Sequence, residues 1–295
     1  MNKNFSTIFS RKFFINTNIL TIIFLSLIII KEKYPQRLLH KIETHQIKSE
    51  PADSNNIQSK LSAMNNLIHH PIYEDFVVGS SLIPFKVLLF GNSLSTHGVV
   101  ETIGWMHKSG MAATALDKDY VHLLLDQLNT RLPNNKIIFR VSNFAEFERN
   151  PTSLQQNTID SFVQFKPDIV LFQLGENVSE EDLQIFKGKY IELINSFKKE
   201  NEVATLCTTP FFPSLKKNKI LDSVAVITKS FLVDLSHISL LDNTSRAENE
   251  VDYKGDKTIW KVNGIGIHPG DKGMKNIADQ LFITINAIIG RRSNK

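Results

Sequence analysis

KVLLFGNSLSTH, Lys86 to His97, is the stretch on which the reading of this chain turns. Val87, Leu88, Leu89 and Phe90 have the length and the β-branched or aromatic content of a strand buried on both faces, as in a parallel sheet. The run stops at Gly91-Asn92-Ser93. A glycine there lets the chain turn where a Cβ would clash, and the turn throws Asn92 and Ser93 into the crevice beyond the strand ends, where open α/β sheets bind ligands. Taken alone, Gly-Asn-Ser is also ordinary turn chemistry, so the rest of the chain has to decide between the two readings.

At 295 residues and 42% apolar content, the chain is long enough for one large core or two small ones. Its single cysteine, Cys207, excludes an intramolecular disulfide, and its apolar setting reads as a core thiol. The sequence pI near 9.0 is misleading as a sign of nucleic-acid binding. Residues 1–60 hold nine Lys or Arg against four acids, which leaves 25 against 26 in the remainder. A near-neutral folded part argues against a polyanion partner.

Residues 13–30, FFINTNILTIIFLSLIII, carry no charge and follow Arg11-Lys12. Their length approaches the hydrocarbon thickness, and Ile28-Ile29-Ile30 runs into Lys31-Glu32-Lys33 with no small-residue cleavage site. An uncleaved single-pass transmembrane anchor is expected, with residues 1–12 cytoplasmic and the domain on the extracytoplasmic side of a bacterial inner membrane. Positive charge flanks the segment on both sides, so the positive-inside rule separates the two orientations little. Residues 31–81 then turn polar and read as a stalk. The globular domain is expected at 82–295.

Within it, apolar runs alternate with helical patterns. Strands are expected at Phe85–Phe90, Lys136–Val141, Asp168–Leu174, Val203–Cys207 and Phe231–Leu235. Helices are expected at Lys118–Leu132, with Asp117 as N-cap, then at Ser153–Phe165, Glu180–Lys199, Asn218–Lys229 and Asp271–Ile289. Five strands alternating with helices predict an α/β chain, a three-layer α/β/α doubly wound parallel sheet of the flavodoxin-like kind.

In that architecture, chemistry gathers past the C-terminal ends of strands. Gly175-Glu176-Asn177 follows the third expected strand, and Gly266-Ile267-His268-Pro269 precedes the last helix. Each has an ordinary explanation, Asn177 as a turn former and His268 as a capping or packed loop residue. Taken together with Gly91-Asn92-Ser93, however, they resemble the motif blocks of the SGNH (GDSL-type) hydrolase superfamily, in order and in relation to the strands. The resemblance covers about residues 84–290. The segment from Ile103-Gly104-Trp105 to His122 also resembles a bacterial, membrane-anchored subgroup with an insertion after the first block.

The resemblance implies acyl transfer without a cofactor. Ser93 is the implied nucleophile and His268 its base. The implied oxyanion hole consists of the Ser93 N–H, a backbone N–H near Ala145 and the Asn177 side chain. Asn92 and Trp105 are candidate substrate-lining residues, although an aromatic in an insertion equally packs its loop down. Two departures stand out. The second block has Asn143-Phe144-Ala145-Glu146 in place of its glycine, and the acid expected three residues before the histidine is Ile265. A backbone carbonyl of the Asn263 to Gly266 loop is expected at His268 Nδ1 in place of the acid; the alternative is a carboxylate brought from elsewhere, for which Glu101 is the one candidate.

His97, His107, His122 and His237 show no metal-ligand spacing, so no metal is expected. Gly264, Gly266 and Gly270 precede the last helix and do not follow the first strand, which excludes a dinucleotide loop. The expected substrate is a small ester or an O-acylated glycan, most simply acetylated. Transfer to a glycan in place of water would require an acyl donor delivered by a membrane acyltransferase partner. A glycan-binding protein that keeps the fold without catalysis is the reading that Ile265 favours.

Overall fold

The computed structural model describes residues 73–198, 203–250 and 264–293. The apolar segment 13–30 lies outside them, and among the described residues no helix is long and apolar enough to cross a membrane. The chain forms an α/β fold on one mostly parallel sheet of six strands. These are β1 (Glu74–Val78), β2 (Pro84–Gly91), β3 (Lys136–Asn143), β4 (Ile169–Phe172), β5 (Ala204–Thr208) and β6 (Phe231–Val233). Their order is β1-β3-β2-β4-β5-β6, with β1 antiparallel to β3 and the other neighbours parallel.

The expected sheet had five strands; the sixth is β1, which falls within the stretch read as stalk. Its sequence EDFVV is exposed or half-exposed throughout, as befits an edge strand, so it carries no apolar run to announce it. What fixes it is a cross-strand pair. Asp75 lies opposite Arg140 in the ladder, and Arg140 Nε and one terminal nitrogen each donate to its carboxylate at 2.7 Å. The guanidinium also lies 3.7 Å from the Tyr73 ring centroid and 4.1 Å from that of Phe165.

The helices are α1 (Tyr120–Arg131), α2 (Ala145–Arg149), α3 (Gln156–Val163), α4 (Leu183–Lys198), α5 (Leu215–Thr228), α6 (Ser236–Leu241) and α7 (Asp271–Ser293). Asp119, not Asp117, caps α1, its side chain accepting from the His122 N–H. Alternation along β2 separates the two helical layers. Val87 and Leu89 pack in one core with Tyr120, Leu124 and Leu128 of α1 and Ile277 and Leu281 of α7. Leu88 and Phe90 pack in the other with Phe162 of α3, Tyr190 of α4 and Leu221 of α5. The chain leaves β2 for β3 on one side and later returns to β4 on the other. That reversal opens a crevice at the C-terminal end of β2, where Gly91 lies.

Candidate active site

The turn after β2 is built around close approach. A Cβ on Gly91 would meet Ser95 Oγ at 1.7 Å, so only glycine fits. Asn92 O accepts from the N–H groups of Ser95 and Thr96 at 3.0 and 3.1 Å, and Asn92 Oδ1 accepts from the Leu94 N–H at 3.1 Å. These bonds close the chain into a tight turn with Ser93 half-buried on it.

His268 reaches Ser93 from the loop before α7. The segment at Ala247 and Glu248 straps that loop: the Ala247 N–H donates to His268 O at 2.9 Å and the Glu248 N–H to Gly266 O at 2.7 Å. Ser93 Oγ and His268 Nε2 are 3.1 Å apart, across 175 residues of sequence. On the far side of the ring, Nδ1 lies 3.0 Å from Gly264 O. A carbonyl only accepts, so Nδ1 carries the proton and Nε2 is the acceptor for the Ser93 hydroxyl. Burial holds the imidazole pKa below its ordinary value and His97 adds to that, while the hydrogen bond to Gly264 O works the other way. The Phe212 ring stands edge-on to the imidazole, with centroids 5.8 Å apart.

Asn177 follows β4 on a turn that Gly175 enters at φ +125°, a conformation that disfavours any side chain. Its Nδ2 donates to Glu148 Oε2 at 2.5 Å. The N–H of Ala145, the expected second oxyanion donor, instead donates to Asn143 Oδ1 at 3.0 Å at the start of α2. It is therefore already committed. The Ser93 N–H has no acceptor among the described residues, and Asn177 Nδ2 keeps a second hydrogen beyond its bond to Glu148.

Two other expectations are corrected by burial. Asn92 is 0% exposed, and its amide nitrogen donates to Glu148 Oε1 at 3.1 Å and to Gln173 O at 3.3 Å, so it holds the turn and lines no substrate surface. Trp105 is likewise 0% exposed, the core of a cluster with Met111, Ala112, Ala247 and Ile265. Antiparallel bridges His97–Ser109 and Val100–Trp105 fold the insertion into a ribbon that carries the indole inward. Ile265, 1% exposed, points into this same cluster, which is why an aliphatic residue stands where the resemblance implies an acid. Glu101 is exposed at the ribbon tip, and the contact at His268 Nδ1 is the Gly264 carbonyl.

Nothing in the sequence around it marks Glu148. It and Glu146 lie one residue to either side of Phe147, with no local signal to tell them apart, yet Glu146 is exposed and Glu148 fully buried. Glu176 also turns its carboxyl inward, accepting from the N–H groups of Phe211 and Phe212 at 2.5 and 3.3 Å. Burial is the main reason its pKa is pushed up to about 8, and the nearby Glu148 charge adds to the rise. Burial likewise raises the Cys207 thiol to about 11, which suits an inert core residue. Among the described residues no cluster of three or more His, Cys, Asp or Glu is placed to hold a metal.

No protein-family model matches the chain, and no curated protein matches it in sequence. Solved structures are similar to it at a distance. The lipase/acylhydrolase from Enterococcus faecalis shows 14% identity and a TM-score of 0.42, over 68% of this chain and 95% of that one. A family two carbohydrate esterase from Cellvibrio japonicus shows 12% and 0.44, over 72% of this chain and 64% of that one. A two-domain esterase active on acetylated mannans shows 10% and 0.44, over 70% of this chain and half (50%) of that one. Likeness this distant leaves the reading of the site to its own geometry.

Proposed function

We propose that this chain is a serine ester hydrolase of the SGNH type that removes an acyl group, most simply acetyl, from an O-acylated glycan. The single observation that supports hydrolysis most is the line Ser93 Oγ, His268 Nε2, His268 Nδ1, Gly264 O, with 3.1 and 3.0 Å at its two hydrogen bonds. A neutral imidazole with its acceptor nitrogen on a half-buried serine at a strand-end turn is arranged for general-base activation of that serine. The glycan is carried by the motif resemblance alone.

In this mechanism His268 Nε2 takes the Ser93 proton as Oγ attacks the ester carbonyl. The tetrahedral oxyanion is met by the Ser93 N–H and Asn177 Nδ2. The imidazolium returns its proton to the leaving sugar oxygen, and water, activated by the same nitrogen, releases the acyl group. Gly264 O fixes the tautomer but brings no full negative charge, so the imidazolium is stabilised less than beside a carboxylate. Turnover is therefore expected to be slow. The same site serves a transferase if a sugar hydroxyl replaces water, and Ile265 is the observation that favours a non-catalytic glycan binder.

The test is hydrolysis of a neutral chromogenic acetyl ester with and without added oligosaccharide. Wild type should release acetate and Ser93→Ala should lose that activity while remaining folded. Acetyl groups retained on the sugar would make the protein a transferase. Equal rates for wild type and Ser93→Ala would remove Ser93 from the chemistry.

A further inference from the structure

Glu148 is a feature of the site that the mechanism above leaves unused. It lies on α2, is 0% exposed, and receives four hydrogen bonds from two separate turns. Its Oε1 accepts from Asn92 Nδ2 at 3.1 Å, the Gly175 N–H at 2.5 Å and the Glu176 N–H at 3.0 Å, and its Oε2 accepts from Asn177 Nδ2 at 2.5 Å. All of these partners donate. Burial raises its pKa on balance while these four bonds oppose the rise, and four donors with no acceptor are the hydrogen-bond geometry that suits the carboxylate form.

The arrangement has two consequences for the crevice. Asn92 adjoins the nucleophile, and Asn177 carries the side-chain donor, so one carboxylate clamps the turn after β2 to the turn after β4. An asparagine amide also has two orientations of nearly equal shape. With a negative charge at 2.5 Å, only the one that presents Nδ2 is tolerated, because the flipped amide would set Oδ1 against the carboxylate. The carboxylate takes one Nδ2 hydrogen and leaves the other for the oxyanion.

We propose that Glu148 is a positioning residue of the oxyanion site, which orients the Asn177 amide as a donor and fixes its distance from Ser93. This rests on the hydrolase reading. It gives Glu148 no contact with substrate; it acts through Asn177 and Asn92.

The test is a double-mutant cycle on a neutral acetyl ester, using wild type, Glu148→Gln, Asn177→Ala and the double variant, with Glu148→Asp beside them. Rates are normalised to the folded fraction from circular dichroism, so a destabilised variant still reports. A glutamine at 148 keeps the volume but sets an amide N–H₂ among N–H donors. It should lower kcat by about 10- to 100-fold, the scale on which misplaced groups cost activity, with KM within about twofold. Asn177→Ala should cost about 10²- to 10³-fold, as loss of one oxyanion donor does. In the Asn177→Ala background, Glu148→Gln should cost little more, because residues that act as a unit are not additive. Glu148→Asp keeps the charge and should recover part of kcat. Unchanged or faster kcat in Glu148→Gln, losses that multiply in the double variant, an effect confined to KM, or an Asp variant no better than Gln would each overturn the assignment. Wild type that neither turns over the ester nor reacts with a fluorophosphonate would overturn the hydrolase reading and this assignment with it, whereas active wild type with a silent Glu148→Gln removes only the role of Glu148.

Discussion

His268 is held between an alcohol and a carbonyl, and its protonation decides whether it can act as a base. Burial holds its pKa below the ordinary 6.5, so the neutral ring persists into mildly acidic solution. The acid limb of kcat/KM, read across a pH series, should therefore have its midpoint below 6.5; a midpoint above it would mean that a charged partner reaches the ring in solution. The sign for stability runs the same way. As pH falls below the unfolded value, the unfolded chain takes up a proton that the folded ring resists, so folding stability declines. Ile265 bears on the same ring from the other direction. An acid restored at its position would face Trp105, Met111, Ala112 and Ala247, not Nδ1. Ile265→Asp should lower the melting temperature by about 5 °C or more, as burying an unpaired carboxyl does, without raising activity. A faster and equally stable Ile265→Asp would show that the side chain turns to the histidine after all. The sequence marked Ser93, Asn177 and His268 because each lies at a strand or helix end with recognisable neighbours. It could not mark Glu148, whose role depends on two turns far from it in the chain, or the direction of Ile265, which the insertion determines.

The insertion between Ser93 and α1 is the element that most shapes the site. Its ribbon returns on itself through the His97–Ser109 and Val100–Trp105 bridges, and Met111 donates its N–H to Ser93 O at 2.8 Å. Trp105 thus joins the ribbon to the strap at Ala247 and to the histidine loop at Ile265. Trp105→Ala should destabilise the fold by about 3 to 5 kcal/mol, the cost of a large core truncation, and should slow ester hydrolysis although the indole touches no substrate. Denaturation in urea alongside the ester assay checks both, and an unaffected midpoint would mean that the ribbon is dispensable. The strands and long helices were legible because apolar periodicity over many residues has few explanations, as in α1 and α7. The ribbon, α2 and β1 were not. Each is short, and tertiary contacts hold it: Trp105 in its cluster, Glu148 on two loops, Asp75 on Arg140.

At the scale of the molecule, the sheet order places the reversal of direction at β2, so the ends of β2 and β4 and the loop before α7 converge on one crevice. Parallel strands deliver Ser93 and the turn bearing Asn177 side by side, and the strapped loop brings His268 across. Doubly wound topology was legible from the alternation of elements, and with it the end of the sheet at which chemistry collects. The edge strand β1, within the stretch read as stalk, pairs with β3 at the border of the sheet and leaves the site in place. All of this bears on one claim, that Ser93 is a nucleophile activated by His268. Incubation with a fluorophosphonate, followed by peptide mass mapping of wild type and His268→Ala, tests it most directly. The account predicts a single phosphonyl adduct on Ser93 in wild type that forms far more slowly without the histidine. An unlabelled wild type, an adduct on another residue, or equal labelling in His268→Ala would contradict it.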